Sequence, residues 1–327
     1  MTTVHGVEVV STRRWKVILV VVTNVFAREQ LAAKKAAAVA KRSGARVVLF
    51  NTFMVPQPVS DVPMDSREQI IESAIRQREQ RLAQIAAQLR LPRSTKCIVR
   101  WDYPIYEAVV RQVRQTKPDL LITESHRHGR LARIVLANTD WELMRDCPCP
   151  LWFVRSPELP KLPRLLVAVD PRHTHAKPTK LDDRLLLAAH AVTRQLGGRV
   201  AMVHAYETPA SALPGMLMEP VRLPIPPQRT RDFISTTTQS VAKLAAKHGV
   251  SVADCIVREG AASEVIASEA NRRKSDILVM GAVSRSLLAR PIIGSTAERV
   301  IDHVDCDVLV IKPAGFKSRV KRSSVKV

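Results

Sequence analysis

Short runs of β-branched and other apolar residues alternate along the chain with longer stretches whose apolar residues recur at helical spacing. The first run covers 17–23; an Ala-rich amphipathic stretch follows over 27–43, and a second apolar run over 44–50. Continuous apolar runs of this length are typical of strands that are buried on both faces of a parallel sheet. Strands that alternate with helices predict right-handed β-α-β units, and therefore an α/β fold with helices on both faces of the sheet.

The whole pattern occurs twice. Residues 165–170 repeat the first strand, 182–196 the first helix and 198–204 the second strand. Residues 119–155 match 276–312 at a constant offset of 157, which is too long a register to arise by chance. Each copy therefore predicts a doubly wound, parallel, five-stranded sheet of the Rossmann-like class.

The repeat predicts two domains and a tail. The first domain is expected over 1–156 and the second over 164–314, with a short Pro-rich linker between them. Residues 315–327 are basic and carry no apolar periodicity, so we expect a flexible tail there. The loop over 206–230 is long and Pro-rich, which indicates either a binding loop or a packed surface loop.

The composition is that of an ordinary globular protein, with 46% hydrophobic and 25% charged residues. No apolar run is long enough to span a bilayer, and the N-terminal apolar run is short and β-branched. We therefore expect a first strand rather than a signal peptide, no membrane insertion and a cytoplasmic location. Five cysteines, an odd and low number, argue against a disulfide framework.

The charge balance is strongly basic, with 51 Lys and Arg residues against 30 Asp and Glu residues, a net charge of +21 that both halves share. Such a field attracts nucleotides, nucleic acids or anionic surfaces. Aromatic residues make up only 4% of the chain, which disfavours platforms for base stacking. Binding of nucleic acid or another polyanion stays an alternative function, and residues 317–322 are the expected contact.

The last third of each copy contains recognisable sequence motifs. The second copy reads DILVMG at 276–281, GSTAERV at 294–300 and CDVLVIKP at 306–313, and the first copy reads TDWELMRDCP at 139–148. Over roughly residues 15–313, this combination resembles the universal stress protein family, in its tandem E-type form.

The resemblance implies open five-stranded α/β domains, in agreement with the repeat. Many members of the family bind ATP through a Gly-x2-Gly-x9-Gly-Ser/Thr motif and an Asp at the end of the first strand. Members also pair through their last strands, so the two domains are expected to form a pseudo-dimer within the chain. Whether two chains form a further homodimer is left open.

In the second copy, the resemblance places a nucleotide site at the carboxyl ends of the strands, where open α/β sheets bind ligands. The expected contacts are Asp170, Ala205, Met280, Gly281, Ser284, Arg285, Gly294, Ser295 and Thr296. The last helix of the copy is expected to start at Gly294-Ser295-Thr296, and its first N–H groups and its dipole suit a phosphate. Ser284 replaces the middle glycine of the motif. If that position needs a positive φ, the serine costs about 1 kcal/mol of stability. ATP or another adenine nucleotide is the expected ligand, and the alternative is that the glycines only shape the loop.

The first copy departs from the motif. Its three glycine positions fall on Glu124, Arg127 and Ala137, and its Asp position falls on Thr23. A carboxylate at Glu124 would repel a phosphate. We therefore predict that the first domain does not bind ATP through this motif.

Candidate metal ligands are present but poorly spaced. His126, His128, Cys147 and Cys149 suggest zinc, but only one residue separates the two cysteines, where structural sites usually have two to four. We predict no metal site, thiols that are buried or in a loop, and a solvated loop around His173 and His175.

No motif for catalysis occurs: the chain has no Gly-rich loop ending in Gly-Lys-Ser/Thr, no nucleophile elbow and no zinc-protease helix. The sequence therefore predicts a non-enzymatic stress-response protein that binds a small ligand in a regulatory or protective role. One alternative is a weak metal-dependent ATPase that uses Asp170, and the other is the polyanion-binding protein.

Overall fold

The computed structural model describes residues 14–54, 64–125, 137–172, 180–208, 227–282, 284–285, 292–293 and 295–321. The chain divides into two compact units. Of the described residues, the first domain contains those up to Pro160 together with 315–321, and the second contains those within Lys161–Ala314.

The first domain contains one parallel sheet in the order β3-β2-β1-β4-β5. Its strands are β1 (Val17–Val21), β2 (Arg46–Phe53), β3 (Lys96–Trp101), β4 (Leu120–Glu124) and β5 (Leu151–Val154). Its helices are α1 (Leu31–Ser43), α2 (Met64–Gln88), α3 (Ile105–Thr116) and α4 (Ala137–Asp146).

The second domain repeats this arrangement, with a parallel sheet in the order β12-β9-β6-β7-β8. Its strands are β6 (Arg164–Ala168), β7 (Arg199–Tyr206), β8 (Cys255–Glu259), β9 (Ile277–Gly281) and β12 (Asp307–Ile311). Its helices are α5 (Leu181–Leu196), α6 (Pro227–Lys247), α7 (Ala262–Arg272) and α8 (Ser295–His303). A short antiparallel hairpin of β10 (Ser284–Arg285) and β11 (Ile292–Ile293) stands apart from the sheet. The predicted fold class, a parallel five-stranded α/β unit in each copy, is confirmed.

The central strands form the core of each domain, as their apolar runs predict. In β1, Ile18, Leu19 and Val20 are fully buried, and in β9, Leu278 and Val279 are fully buried. At about 1.5–3 kcal/mol for each large side chain that leaves water, these strands are the main source of stability in each domain.

A hydrogen bond from strand two to the end of strand one is repeated in both domains. In the first, Asn51 Nδ2 donates to the Val22 carbonyl oxygen over 2.7 Å. In the second, His204 Nδ1 donates to the Val169 carbonyl oxygen over 3.0 Å. Both donors are buried, so each bond satisfies a carbonyl group that water does not reach. The duplication therefore preserves the carboxyl edge of the sheet in detail.

The two turns from first helix to second strand show what their glycines do. Gly44 follows α1 with φ 70°, and its N–H donates to the Ala40 carbonyl, so this glycine ends the helix. In the second copy, Gly197 ends α5 with φ 73°, and Gly198 follows it. Gly198 is needed because a Cβ there would lie 2.2 Å from the Pro163 carbonyl oxygen.

Residues 315–321 differ from the flexible tail that the sequence predicts. Arg319 forms an ion pair with Asp146 in the first domain, and Val320 is buried. The remaining residues of the predicted tail, 322–327, lie outside the described part of the chain.

None of the helices within the described residues combines the length and the apolar character needed to cross a membrane.

Candidate functional site

The carboxyl ends of three adjacent strands bring together several of the predicted nucleotide contacts. Asp170 follows β6, Ala205 lies near the end of β7, and Met280 and Gly281 close β9. The strands stand side by side in the order β9-β6-β7, so these residues lie along one edge of the second sheet. The chain leaves β6 toward β7 on one side, whereas β9 lies on the other, so this edge holds the topological switch point where α/β sheets form ligand crevices.

The remaining predicted contacts lie between β9 and α8. Ser284 and Arg285 form β10, Ser295 begins α8, and Thr296 is half-buried in its first turn. Gly294 falls outside the described residues, as do His173, His175 and residues 209–226 of the Pro-rich loop.

Ser284 is accommodated without the strain that its position in the motif suggests. Its backbone pairs with Ile293 in the β10–β11 ladder, so it has an extended conformation. The expected penalty of about 1 kcal/mol for a left-handed serine therefore does not arise.

Gly281 has a packing role that the sequence does not reveal. A Cβ at this position would lie 2.8 Å from Leu181 Cδ2, closer than two carbon atoms can pack. Leu181 is the first residue of α5 and is fully buried. The glycine therefore allows the start of α5 to approach the end of β9.

Two aspartates, Asp170 and Asp182, lie at the end of β6. The Asp182 carboxylate, in the first turn of α5, accepts the Asp170 N–H over 3.1 and 3.2 Å, and Asp182 is buried. This bond fixes the backbone of the residue that the family motif uses. An acidic first turn is also favourable at a helix N-terminus.

An arginine–aromatic cluster lies beside the same edge. Arg172 Nη1 donates to Thr237 Oγ1 over 2.8 Å, and the guanidinium lies 4.4 Å from the centre of the Phe233 ring. The Tyr206 ring centre lies 6.0 Å from that of Phe233. Burial and the Glu259 carboxylate raise the pKa of Tyr206, so its hydroxyl stays protonated at neutral pH. Sequence reasoning missed this cluster, although Arg172 is two residues from Asp170 and Tyr206 follows Ala205.

The first domain fills the corresponding place with its own carboxylate. Glu124, which matches Gly281, ends β4, and its Oε1 accepts the N–H of Ala32 over 3.2 Å. Ala32 lies in the first turn of α1. The carboxylate therefore occupies the partly positive helix start, where a bound anion would be stabilised. Thr23, which matches Asp170, is exposed.

The cysteines are free thiols. Cys147 Sγ and Cys149 Sγ lie 3.6 Å apart, and their hydrogen bond, together with burial, raises the pKa of Cys149. A thiol with a raised pKa is a poor nucleophile and a poor metal ligand at neutral pH. Within the described residues, no group of three or more His, Cys, Asp and Glu side chains is arranged to hold a metal ion, and His126 and His128 lie outside them.

The fold defines a class: a tandem Rossmann-like α/β protein with a topological switch point at the carboxyl edge of its second sheet. A family model described as the universal stress protein family matches residues 14–155 and 162–312, one match for each domain. The chain belongs to the universal stress protein family, whose members act in the stress response.

Relatives of known name agree with the tandem architecture. The chain is 31% identical to universal stress protein E of Escherichia coli strain K12, over 68% of this chain and 69% of that protein. It is 28% identical to universal stress protein E of Photorhabdus laumondii, over 68% of this chain and 70% of that protein. The chain is therefore a tandem family member similar to universal stress protein E.

Solved structures share the fold. A functionally unknown protein, PA1789 from Pseudomonas aeruginosa PAO1, superposes with a TM-score of 0.67 at 20% identity, over 92% of this chain and 94% of that one. A universal stress protein from Archaeoglobus fulgidus gives a TM-score of 0.59 at 14% identity, over 95% and 100%.

Proposed function

We propose that the second domain binds an adenine nucleotide, ATP in particular, at its carboxyl edge, and that the chain is a non-enzymatic stress-response protein regulated by this ligand. The observation that carries the proposal is the position of Asp170, which follows β6 at the switch point of the second sheet. Polar groups at a switch point are where this class of sheet recognises its ligands.

The chemistry of the edge suits the parts of a nucleotide. Ala205 and Met280 offer small and apolar surface to an adenine ring at the ends of β7 and β9. Asp170 is half-buried and supplies a carboxylate that accepts hydrogen bonds from ribose hydroxyls. The first turn of α8, with Ser295 and Thr296, offers N–H groups to phosphates.

Two findings bear on the strength of the motif. The extended backbone at Ser284 removes a conformational objection to ligand binding. The contact of Gly281 with Leu181, in contrast, explains this glycine without any ligand. The proposal therefore depends on Asp170 and on the start of α8 more than on the glycine pattern.

As part of the same proposal, the protein is cytoplasmic and does not catalyse a reaction, as the sequence predicts. A second candidate function, the weak ATPase, would use the same Asp170 with a divalent cation. The same set of variants tests it, because binding and turnover are separate measurements.

Isothermal titration calorimetry of the full chain with ATP and Mg²⁺ tests the proposal. We expect one ATP per chain, at least tenfold weaker binding in Asp170→Asn, and unchanged binding in Thr23→Ala, the matched change in the first domain. Absence of binding to the unaltered chain, or equal affinity in the Asp170 variant, would contradict the proposal. Metal-dependent phosphate release that Asp170→Asn abolishes, with the fold intact, would instead make the protein an ATPase.

A further inference from the structure

Residues 318–320 bind to the first domain as a short peptide would. They lie beside the end of α3 and the end of α4, through contacts made by Arg114 and Asp146. Both the backbone of this segment and one of its side chains are held, which is the combination that peptide-recognition sites use.

Asp146 forms the side-chain part of the site. Its carboxylate, 4% exposed, pairs with Arg319 through two bonds, Nη2 to Oδ2 over 2.8 Å and Nε to Oδ1 over 3.2 Å. The Arg319 N–H also donates to Oδ1, over 3.3 Å. A buried carboxylate without a partner is strongly destabilising, so this position requires a cation. The planar fork of a guanidinium satisfies it better than an ammonium group.

Arg114 forms the backbone part of the site. Its Nη1 donates to the Val320 carbonyl over 2.5 Å, and its Nη2 donates to the Ser318 carbonyl over 3.0 Å. One guanidinium thus holds the carbonyl groups on both sides of Arg319. Val320 itself is buried, so the position after the arginine is apolar.

The charges around the segment are mixed. Glu107 pairs with Arg111 and Glu142 pairs with Arg145, so these two carboxylates already have cations of their own domain. Asp146 takes its cation from the segment, and this pairing favours a basic residue at position 319.

A cavity of about 690 Å³ adjoins Arg114 in the same domain. Its lining includes Lys117, Pro118 and Pro148, and Cys149 lies three residues after Asp146. Its volume falls in the range of small-molecule pockets, but Arg111, Arg114 and Lys117 make its lining cationic, so it is a space next to the segment and not a pocket for an arginine side chain.

We propose that Asp146 and Arg114 form a recognition site for an extended peptide that carries arginine followed by an apolar residue, and that residues 318–320 occupy this site in cis. The partner is thus an arginine-containing extended segment of another protein, which competes with the segment of this chain. Because the cis segment is tethered, its effective concentration is high, and a competing peptide must bind tightly or the tether must be released.

Fluorescence anisotropy with the full chain tests the proposal. The probe is a labelled synthetic peptide with the sequence of residues 315–323, and the receptor is the Arg319→Glu variant, whose own segment is repelled by Asp146. Because Asp146 loses its cation, this variant should be less stable than the unaltered chain, and its circular dichroism spectrum shows whether it is folded before the titration. We expect the variant to bind the peptide at least tenfold more tightly than the unaltered chain does, because only the variant has an empty site.

Two controls define the chemistry. The double variant Arg319→Glu with Asp146→Asn should bind the peptide at least tenfold more weakly than the single variant. A peptide with glutamate in place of the arginine should not bind. Equal binding by the single and double variants, or no binding by a folded single variant, would overturn the proposal. Self-association of the single variant on its own would overturn it as well, since a second copy would then be the occupant.

Hydrogen exchange on the full chain provides an independent readout. The amides of residues 318–320 should exchange at least tenfold faster in Asp146→Asn than in the unaltered chain. Equal exchange in the two proteins would show that Asp146 does not hold the segment, and would also overturn the proposal.

Discussion

Replacing Gly281 with alanine separates a packing role from a ligand role at the end of β9. The added Cβ would lie 2.8 Å from Leu181 Cδ2, 3.4 Å from its Cγ and 3.7 Å from its Cδ1. Carbon atoms pack at about 3.5–4.0 Å, so the nearest pair is roughly 0.7 Å too close. Since Leu181 is fully buried, it cannot turn into solvent, and we expect a loss of about 1–3 kcal/mol in the free energy of unfolding, as for other overpacked cores.

The distribution of tryptophans makes the assay specific to one domain. All four, Trp15, Trp101, Trp141 and Trp152, lie in the first domain. During urea unfolding, tryptophan fluorescence therefore follows the first domain, while far-UV circular dichroism follows both. The variant should lower the midpoint by circular dichroism and leave the fluorescence midpoint unchanged.

A second substitution tests the cause. Leu181→Ala alone creates a cavity and should cost about 2–5 kcal/mol. In the double variant the methyl group added at position 281 enters that space, so the combined loss should be smaller than the sum of the two single losses. Additive losses, or an unchanged circular dichroism midpoint in Gly281→Ala, would refute the packing argument. Weaker ATP binding with unchanged stability would show that the glycine serves the ligand instead.

Three further predictions concern the charged groups. Glu124→Ala removes the carboxylate at the start of α1 and should cost about 1 kcal/mol, measured by the fluorescence midpoint; an unchanged midpoint would contradict this capping role. Arg111→Met leaves Asp102 without its bidentate partner and should cost roughly 3 kcal/mol, whereas a loss below about 1 kcal/mol would show a solvated pair. Burial would raise the pKa of Asp183 and of Glu269, but hydrogen bonds from neighbouring basic side chains lower both. Their stabilisation is therefore complete above the unfolded values of about 4 and is lost as the pH falls through the folded values, so the melting temperature should fall below about pH 4, and less steeply in Asp183→Asn.

The sequence predicts the fold well because the strands are buried on both faces. Continuous apolar runs such as 17–22 and 277–280 are short and lie between longer amphipathic stretches, which indicates strands, and the internal repeat provides a second example of each. The strands observed, Val17–Val21 and Ile277–Gly281, lie within one or two residues of those runs.

The hairpin of β10 and β11 could not be predicted in the same way. Each strand has two residues, which is too short for any periodicity to appear. The extended backbone of Ser284 depends on this hairpin, so the motif alone could not give the conformation of this residue.

The other surprises depend on contacts between distant residues. Glu124 reaches an amide 92 residues away, and Arg172 reaches the helix around Phe233, 61 residues away. Arg319 pairs with a carboxylate 173 residues away, which is why a basic segment without periodicity looks free in the sequence. Residue types indicate what a side chain can bind, whereas only the fold shows which partner it has.

Because of Glu124, the two domains should respond differently to dissolved anions. The start of α1 already holds an anion that is covalently part of the domain, so no dissolved phosphate can stabilise that helix by mass action. Added phosphate should therefore leave the melting temperature of the first domain unchanged through this helix, whereas a phosphate-containing ligand bound at the start of α8 would raise that of the second.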